Sequence, residues 1–227
     1  MRALTIFFLS LLSLPLMLNA QSVDEMLQKV SAAIEAGQNG QAVSYFRQTI
    51  SLNIDRTEMY YWTNVDKNSE VSVKLANELA VAYKKNRNYD KAYLFYKELL
   101  QKAPNNVDYL QSCAEMQVYR GQEKDALHMY EKILQLDADN LAANIFLGNY
   151  YYLMAEREKK QLEADYKKIS SPTKMQYARY RDGLSKVFST GYERARSSLQ
   201  KVVLRFPSTE AQKTLDKILR IEKEVKR

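Results

Sequence analysis

Cysteine occurs once, at Cys113, so no disulfide can form within the chain, and a fold of 227 residues must be held by packing. In the apolar pattern around it, Cys113 is expected to behave as a small buried hydrophobe. Histidine also occurs once, at His128, on the polar face of its segment. That excludes a His/Cys metal set and leaves a nucleophile–base pair almost nothing to use. There is no G-x-S-x-G elbow and no glycine-rich phosphate loop. Carboxylates abound, but at the salt-bridge spacing of solvated helix faces. The chain is therefore read as not an enzyme, with no catalytic residue, no metal and no cofactor. Glycine (six) and proline (four) are scarce, whereas Ala, Leu, Lys, Glu and Gln are abundant. With no stretch alternating as a half-buried strand would, the reading is all-α.

Long hydrophobic runs are missing too, except at the start. In MRALTIFFLSLLSLPLMLNAQS, Arg2 precedes an apolar run from Thr5 to Leu18, and Asn19-Ala20-Gln21 returns to polar sequence. This is the form of a signal peptide, residues 1–20, cut after Ala20. An uncleaved membrane anchor is the alternative, the run being near the lower limit for spanning a bilayer. The expectation is an exported protein, periplasmic or envelope-associated in a Gram-negative bacterium. No cysteine stands near the junction to carry a lipid.

What is present is a repeat. VKLANELAVAYKKNRNYDKAYLFYKELLQKAPNN occupies 73–106, and the next 34 residues, VDYLQSCAEMQVYRGQEKDALHMYEKILQLDADN, occupy 107–140. The first carries Leu79, Ala80, Tyr83, Tyr89, Ala92, Tyr96, Leu99 and Pro104, and the second Ala114, Gly121, Ala126, Tyr130 and Ile133. This period and pattern resemble the tetratricopeptide repeat, although Cys113, Gln117 and Ala138 depart from its usual Leu, Tyr and Pro. Small residues let the two helices of a hairpin approach, while Tyr and Leu fill the space between hairpins. A fainter unit, 21–56, has Gly37 at the turn, Ala42 at the close-packing position and Phe46 at the aromatic one. Residues 57–72 fit no repeat. Their Met59, Tyr60, Tyr61 and Trp62 form either a plug that closes a seam or a ligand-facing cluster.

A third unit opens at 141 with Leu147, Gly148 and Tyr151, and its turn is due near Met154. The matching second helix, with Tyr192, Ala195, Leu199, Val202 and Pro207, comes 35 residues late. The intervening stretch, 155–190, has apolar spacings of three and four on both sides of Ser170-Ser171-Pro172-Thr173. Leu162, Tyr166 and Ile169 form one seam; Tyr177, Tyr180, Leu184 and Val187 form the other. An antiparallel helical hairpin is predicted, with Ser171 as N-cap, Pro172 as first helical residue, and Glu156/Lys160 and Glu163/Lys167 as i,i+4 pairs. Arms of some 17 residues would project roughly 25 Å. Residues 210–227 are read as a capping helix. The fold class is thus an all-α, right-handed tetratricopeptide solenoid whose last repeat, 141–209, is interrupted by the hairpin.

Charge divides unevenly. Residues 21–154 hold 14 Lys and Arg against 17 Asp and Glu, whereas 155–227 hold 19 against 10. The basic end points to an anionic envelope surface as a further partner. Nucleic acid is not expected, because acids are interspersed and the tyrosines serve the hairpin seam. The resemblance implies a scaffold whose concave face, lined by the first helix of each repeat, holds a peptide or partner helix. The family's inward positions correspond to Asn77 and Lys84, then Gln111, Glu115 and Tyr119, then Ile145, Asn149 and Tyr152. The subclass that clamps a terminal carboxylate has Lys and Asn where this chain has Asn77 and Val81, so that ligand is not implied. Two readings stay open: a scaffold binding through groove or arm, and a structural envelope component whose basic arm docks on membrane or polymer.

Overall fold

The computed structural model describes residues 23–226; the expected signal segment, 1–20, lies outside them. The chain divides into two compact units between Gln122 and Glu123.

The first unit comprises α1 (23–35), α2 (Asn39–Leu52), α3 (Ile54–Asn64), α4 (Glu70–Lys85), α5 (Tyr89–Lys102) and α6 (Val107–Tyr119). One turn recurs in it. Gly37, Arg87 and Gly121 all take left-handed backbone, with φ of 69°, 59° and 73°. In each case the residue's N–H bonds the carbonyl three back and the next N–H the carbonyl five back, as in Gly121→Val118 and Gln122→Gln117. These bonds satisfy the last carbonyls of the preceding helix. Arg87 and Gly121 stand 34 residues apart, whereas Gly37 and Arg87 stand 50 apart. The extra 16 residues make room for α3. Between α4 and α5, Leu75, Leu79, Ala80 and Tyr83 pack with Ala92, Phe95, Tyr96 and Leu99, all buried.

The stretch expected to be a linker or plug is therefore largely helical. Asn53 caps α3, its side chain accepting from the Arg56 N–H at 2.9 Å. Tyr60 and Tyr61 turn inward, with the Tyr60 hydroxyl 2.7 Å from Ser31 Oγ and the Tyr61 hydroxyl donating to Glu98 at 2.6 Å. Met59 and Trp62 face out at 58% and 49% exposure, Trp62 stacking on Phe95 with ring centres 5.3 Å apart. The helical period puts the inner pair in the core and leaves the outer pair open.

The second unit comprises α7 (Glu123–Leu136), α8 (Leu141–Lys167), α9 (Lys174–Val187), a π-helical turn (Phe188–Tyr192), α10 (Glu193–Arg205) and α11 (Thr209–Val225). Thirty-four residues past Gly121 stands Ala155, buried in mid-helix, so α8 runs straight through the place where another such turn would fall. At Gly148 and Gly191 the backbones approach closely. A Cβ on Gly148 would lie 2.7 Å from the Leu199 side chain, and one on Gly191 2.6 Å from Ala155 Cβ. Further along, α9 packs on α8 with Tyr180 stacked on Tyr166 at 4.3 Å, and a Cβ on Gly183 would meet Leu162 at 2.8 Å.

Two local expectations are corrected. The N-cap of α9 is Thr173, not Ser171: Thr173 accepts from the Gln176 N–H while the Gln176 side chain accepts from the Thr173 N–H. That reciprocal capping box satisfies two donors at once and outcompetes a start at Pro172. Neither expected i,i+4 pair on α8 forms an ion pair. Lys159 pairs with Glu163 instead, at 3.6 Å, and Glu156 accepts the Tyr192 hydroxyl. Arg181 of α9 donates to the carbonyls of Glu224 (3.0 Å) and Val225 (2.5 Å), satisfying the open end of α11.

Candidate partner-binding surfaces

The eight residues predicted to face a partner fall into two sets. In the first unit, Lys84 of α4 reaches Glu115 of α6 at 2.6 Å, and Gln111 donates to the same carboxylate at 3.1 Å. Burial lowers the Lys84 pKa, but the bond to Glu115 and that carboxylate's charge together outweigh it and leave the ammonium above its ordinary value. Lys84, Gln111 and Glu115 thus satisfy one another. Tyr119 stands apart, 57% exposed and stacked on Tyr89 at 4.7 Å. Asn77 is half-buried and joins neither group.

In the second unit, Ile145, Asn149 and Tyr152 come together on one side of a cleft of about 490 Å³. They lie on α8 at spacings of four and three, with Leu153 beside them, so a single helix face presents them all. Leu199 and Val202 of α10 form the floor, and both are buried beneath it. The far wall is α11, which contributes Glu210, Lys213, Thr214 and Lys217. Phe206, 61% exposed, closes the end where α10 turns into α11, and Ser208 caps α11 by accepting from the Ala211 N–H at 3.2 Å. Ile145 and Leu153 are exposed by 41% and 53%. Burial raises the Tyr152 phenol pKa, Glu156 adding to it, and its ring meets Tyr192 edge-on at 6.0 Å. Leu153 also lines a second hollow of about 330 Å³ that continues along α8 past Arg157 and Lys160.

The α11 wall was missed from sequence. That helix was read only as a cap, with Ala211, Leu215, Ile218, Leu219 and Val225 on its apolar face; Ala211, Leu215 and Ile218 are buried and Leu219 is exposed. Residues 210, 213, 214 and 217 lie on the adjoining stripe by helical periodicity, but nothing marks that stripe as facing another helix until α8 is in place. On the opposite side of α8, Glu131 accepts from the Tyr151 hydroxyl and from Arg194 at 2.9 Å, and Arg194 lies 3.9 Å from the Tyr151 ring centre. In that hollow, of about 470 Å³, the facing charges are paired with each other, whereas Lys213 and Lys217 of the α8/α11 cleft have no ion-pair partner among the described residues. Among the described residues, no cluster of His, Cys, Asp and Glu has the arrangement of a metal site. No described helix is long and apolar enough to cross a membrane.

Paired antiparallel helices joined by a recurring left-handed turn define a helical-repeat protein. Residues 78–106 match the tetratricopeptide repeat family. A crystal structure from Bacteroides ovatus ATCC 8483, described provisionally as a protein binding protein, is 89% identical. It covers 89% of this chain and 98% of its own, with a TM-score of 0.80. The chain thus carries a tetratricopeptide repeat at 78–106. More distant structures include YrrB, a TPR protein with an unusual peptide-binding site, at 14% identity over 90% of this chain and 97% of its own, TM-score 0.36. Another is a thermophilic TPR protein from Thermus thermophilus, at 14% identity over 87% and 98%, TM-score 0.33. Neither is near enough to bear on what this chain binds. Among curated proteins, none matches.

Proposed function

We propose that the chain is a non-enzymatic scaffold that holds a peptide or partner helix in the cleft between α8 and α11. The open cleft carries the reading: an apolar floor, exposed Ile145, Leu153 and Phe206 at its edge, and polar groups at its rim. Such a composition is that of an interaction surface, an apolar centre within a polar border. The description of the Bacteroides ovatus relative as a protein binding protein supports it. The site set is Ile145, Asn149 and Tyr152, joined by Lys213 and Lys217. Asn77, Lys84, Gln111, Glu115 and Tyr119 are left out of the set: Lys84, Gln111 and Glu115 satisfy one another, Tyr119 is stacked on Tyr89, and Asn77 is half-buried away from them. Export to the envelope, directed by residues 1–20, is part of the same proposal and is tested by N-terminal sequencing of protein recovered from the periplasm.

Benzoylphenylalanine placed at Leu153, inside the cleft, and at Leu204, exposed beside a separate hollow between α10 and α11, tests the site. Crosslinking to one defined partner from Leu153 alone supports it; equal crosslinking from both positions, or none, refutes it. A second reading, docking of the α8/α9 tip on an anionic surface, is favoured by one observation. From Tyr166 to Arg181 there are five Lys and Arg and no carboxylate, with Met175 66% exposed. Loss of envelope association on Lys167→Glu/Lys174→Glu would move that reading ahead.

A further inference from the structure

The cations around the α8/α11 cleft are unevenly used. Several cations elsewhere in the second unit are paired: Arg194 with Glu131, Arg196 with Glu222 and Lys159 with Glu163. Lys213 and Lys217 on the cleft wall, and Arg157 and Lys160 along the continuing face of α8, are exposed and have no carboxylate partner among the described residues. Glu156, one turn from Lys160, is engaged by Tyr192 instead. The one carboxylate on the cleft wall is Glu210, at its Phe206 end. From Ile145 to Lys160, about 22 Å at 1.5 Å per residue, the α8 face passes from apolar to charged, Glu156 and Glu163 lining the second hollow together with Arg157, Lys159 and Lys160. Nearby, Glu224 of α11 reaches toward Lys159 at 4.0 Å, so the two walls run in the same direction.

We infer that the cleft selects an acidic amphipathic segment of a partner protein, its apolar side chains on Tyr152, Leu199 and Val202 and its carboxylates on Lys213, Lys217, Arg157 and Lys160. The inference rests on the cleft being the binding site. Charge complementarity identifies the occupant, since the two hollows are lined by five cations against three carboxylates, Glu156, Glu163 and Glu210, and so attract acid and repel base. Shape decides between anionic partners. The cleft between α8 and α11 is a concave trough that accepts one row of side chains from a helix or strand, whereas a bilayer presents a plane.

The test is selection of a random peptide library on the full chain, then anisotropy titration of the enriched peptides. The expected peptides combine aliphatic or aromatic residues with Asp and Glu. Lys213→Glu/Lys217→Glu is expected to weaken them at least about tenfold, and raising NaCl from about 0.15 to 0.5 M at least about threefold, because rim charges set affinity through screened attraction. Asn77→Ala/Tyr119→Ala, in the first unit, leaves binding unchanged. Enriched peptides that are neutral or basic, unaffected by the lysine pair but lost on Tyr152→Ala/Leu153→Asp, overturn the acidic preference and leave the cleft as the site. Peptides indifferent to both pairs, or no enrichment at all, overturn the cleft reading as well. Vesicles of phosphatidylglycerol that bind through the same two lysines and displace the peptides would assign the cations to lipid and overturn the inference. Far-UV circular dichroism of each variant checks that its helices persist.

Discussion

Replacing Gly191 by Ala tests the closest backbone approach in the second unit. The added Cβ would lie 2.6 Å from Ala155 Cβ, 3.3 Å from its Cα and 3.4 Å from the Tyr151 carbonyl oxygen. None of these is the end of a flexible side chain, so relief requires moving one helix against another. Overpacking of this kind costs about 1–3 kcal/mol. Against it stands a gain of about 0.4–1 kcal/mol, because Ala restricts the unfolded chain more than Gly. The net expectation is a loss of about 1–2 kcal/mol, or roughly 2–4 °C in Tm per kcal/mol for a chain of this size. Ala155→Gly alone loses helix propensity and a buried methyl, together about 1–2 kcal/mol. In the double variant the methyl at 191 occupies the space vacated at 155, so the two losses should fall short of their sum by about 1 kcal/mol or more. Urea unfolding followed by circular dichroism measures all four corners of the cycle. A stable Gly191→Ala protein, or losses that add within about 0.5 kcal/mol, would show that α8 and the π-turn do not meet as described.

Other expectations follow from single groups. Arg87→Gly should stabilise the chain by about 1 kcal/mol, since the left-handed turn at φ 59° penalises a Cβ, and Gly121→Ala should cost about as much; thermal melts read both. Burial pushes the Cys113 thiol up to about 12, so it should resist a thiol-specific reagent at neutral pH and react once urea unfolds the chain. The Tyr151 hydroxyl, with help from Arg194 and against burial, holds Glu131 below the usual carboxylate range. A depressed folded pKa means that its stabilisation is present above the unfolded value of about 4.3 and is lost as pH falls through the folded one. Melts from pH 6 to 3 should therefore converge for wild type and Glu131→Gln, and curves that stay parallel would refute the pairing.

Much of the helical framework was legible because each signal was local. Ala80, Ala92, Ala114 and Ala126 stand at close approaches that tolerate little else, and all are fully buried. Gly37 and Gly121 announce their turns, whereas Arg87 makes the same turn with a residue that gives no warning. α3 was not read as a helix because its residues match no repeat and its restraints are distant in sequence. Tyr60 depends on Ser31, Tyr61 on Glu98, and Glu58 on Lys91 at 2.7 Å. The cap of α9 was misplaced by two residues because Ser171 and Thr173 are both competent caps, and only the reply from Gln176 decides between them. For the cleft, one wall could be read by analogy with a family position. The other belongs to α11, whose facing stripe carries no mark of its own in the sequence.

The length of α8 links these features. Its neighbours α7 and α10 have 14 and 13 residues, half of its 27. At 1.5 Å per residue α8 extends roughly 40 Å, and α10 can cover only about half of that. The uncovered half must bury its apolar seam, and α9 supplies the partner through Tyr166, Tyr180 and the close approach of Gly183 to Leu162. Once there, α9 also brings Arg181 to the last carbonyls of α11, holding the end of the opposite cleft wall. The residues that lengthen the helix therefore do two jobs. They carry Arg157 and Lys160 beyond the apolar floor, and they return a helix that fixes α11 alongside. A cleft between two walls of ordinary repeat length would end near Leu153, before Arg157 and Lys160.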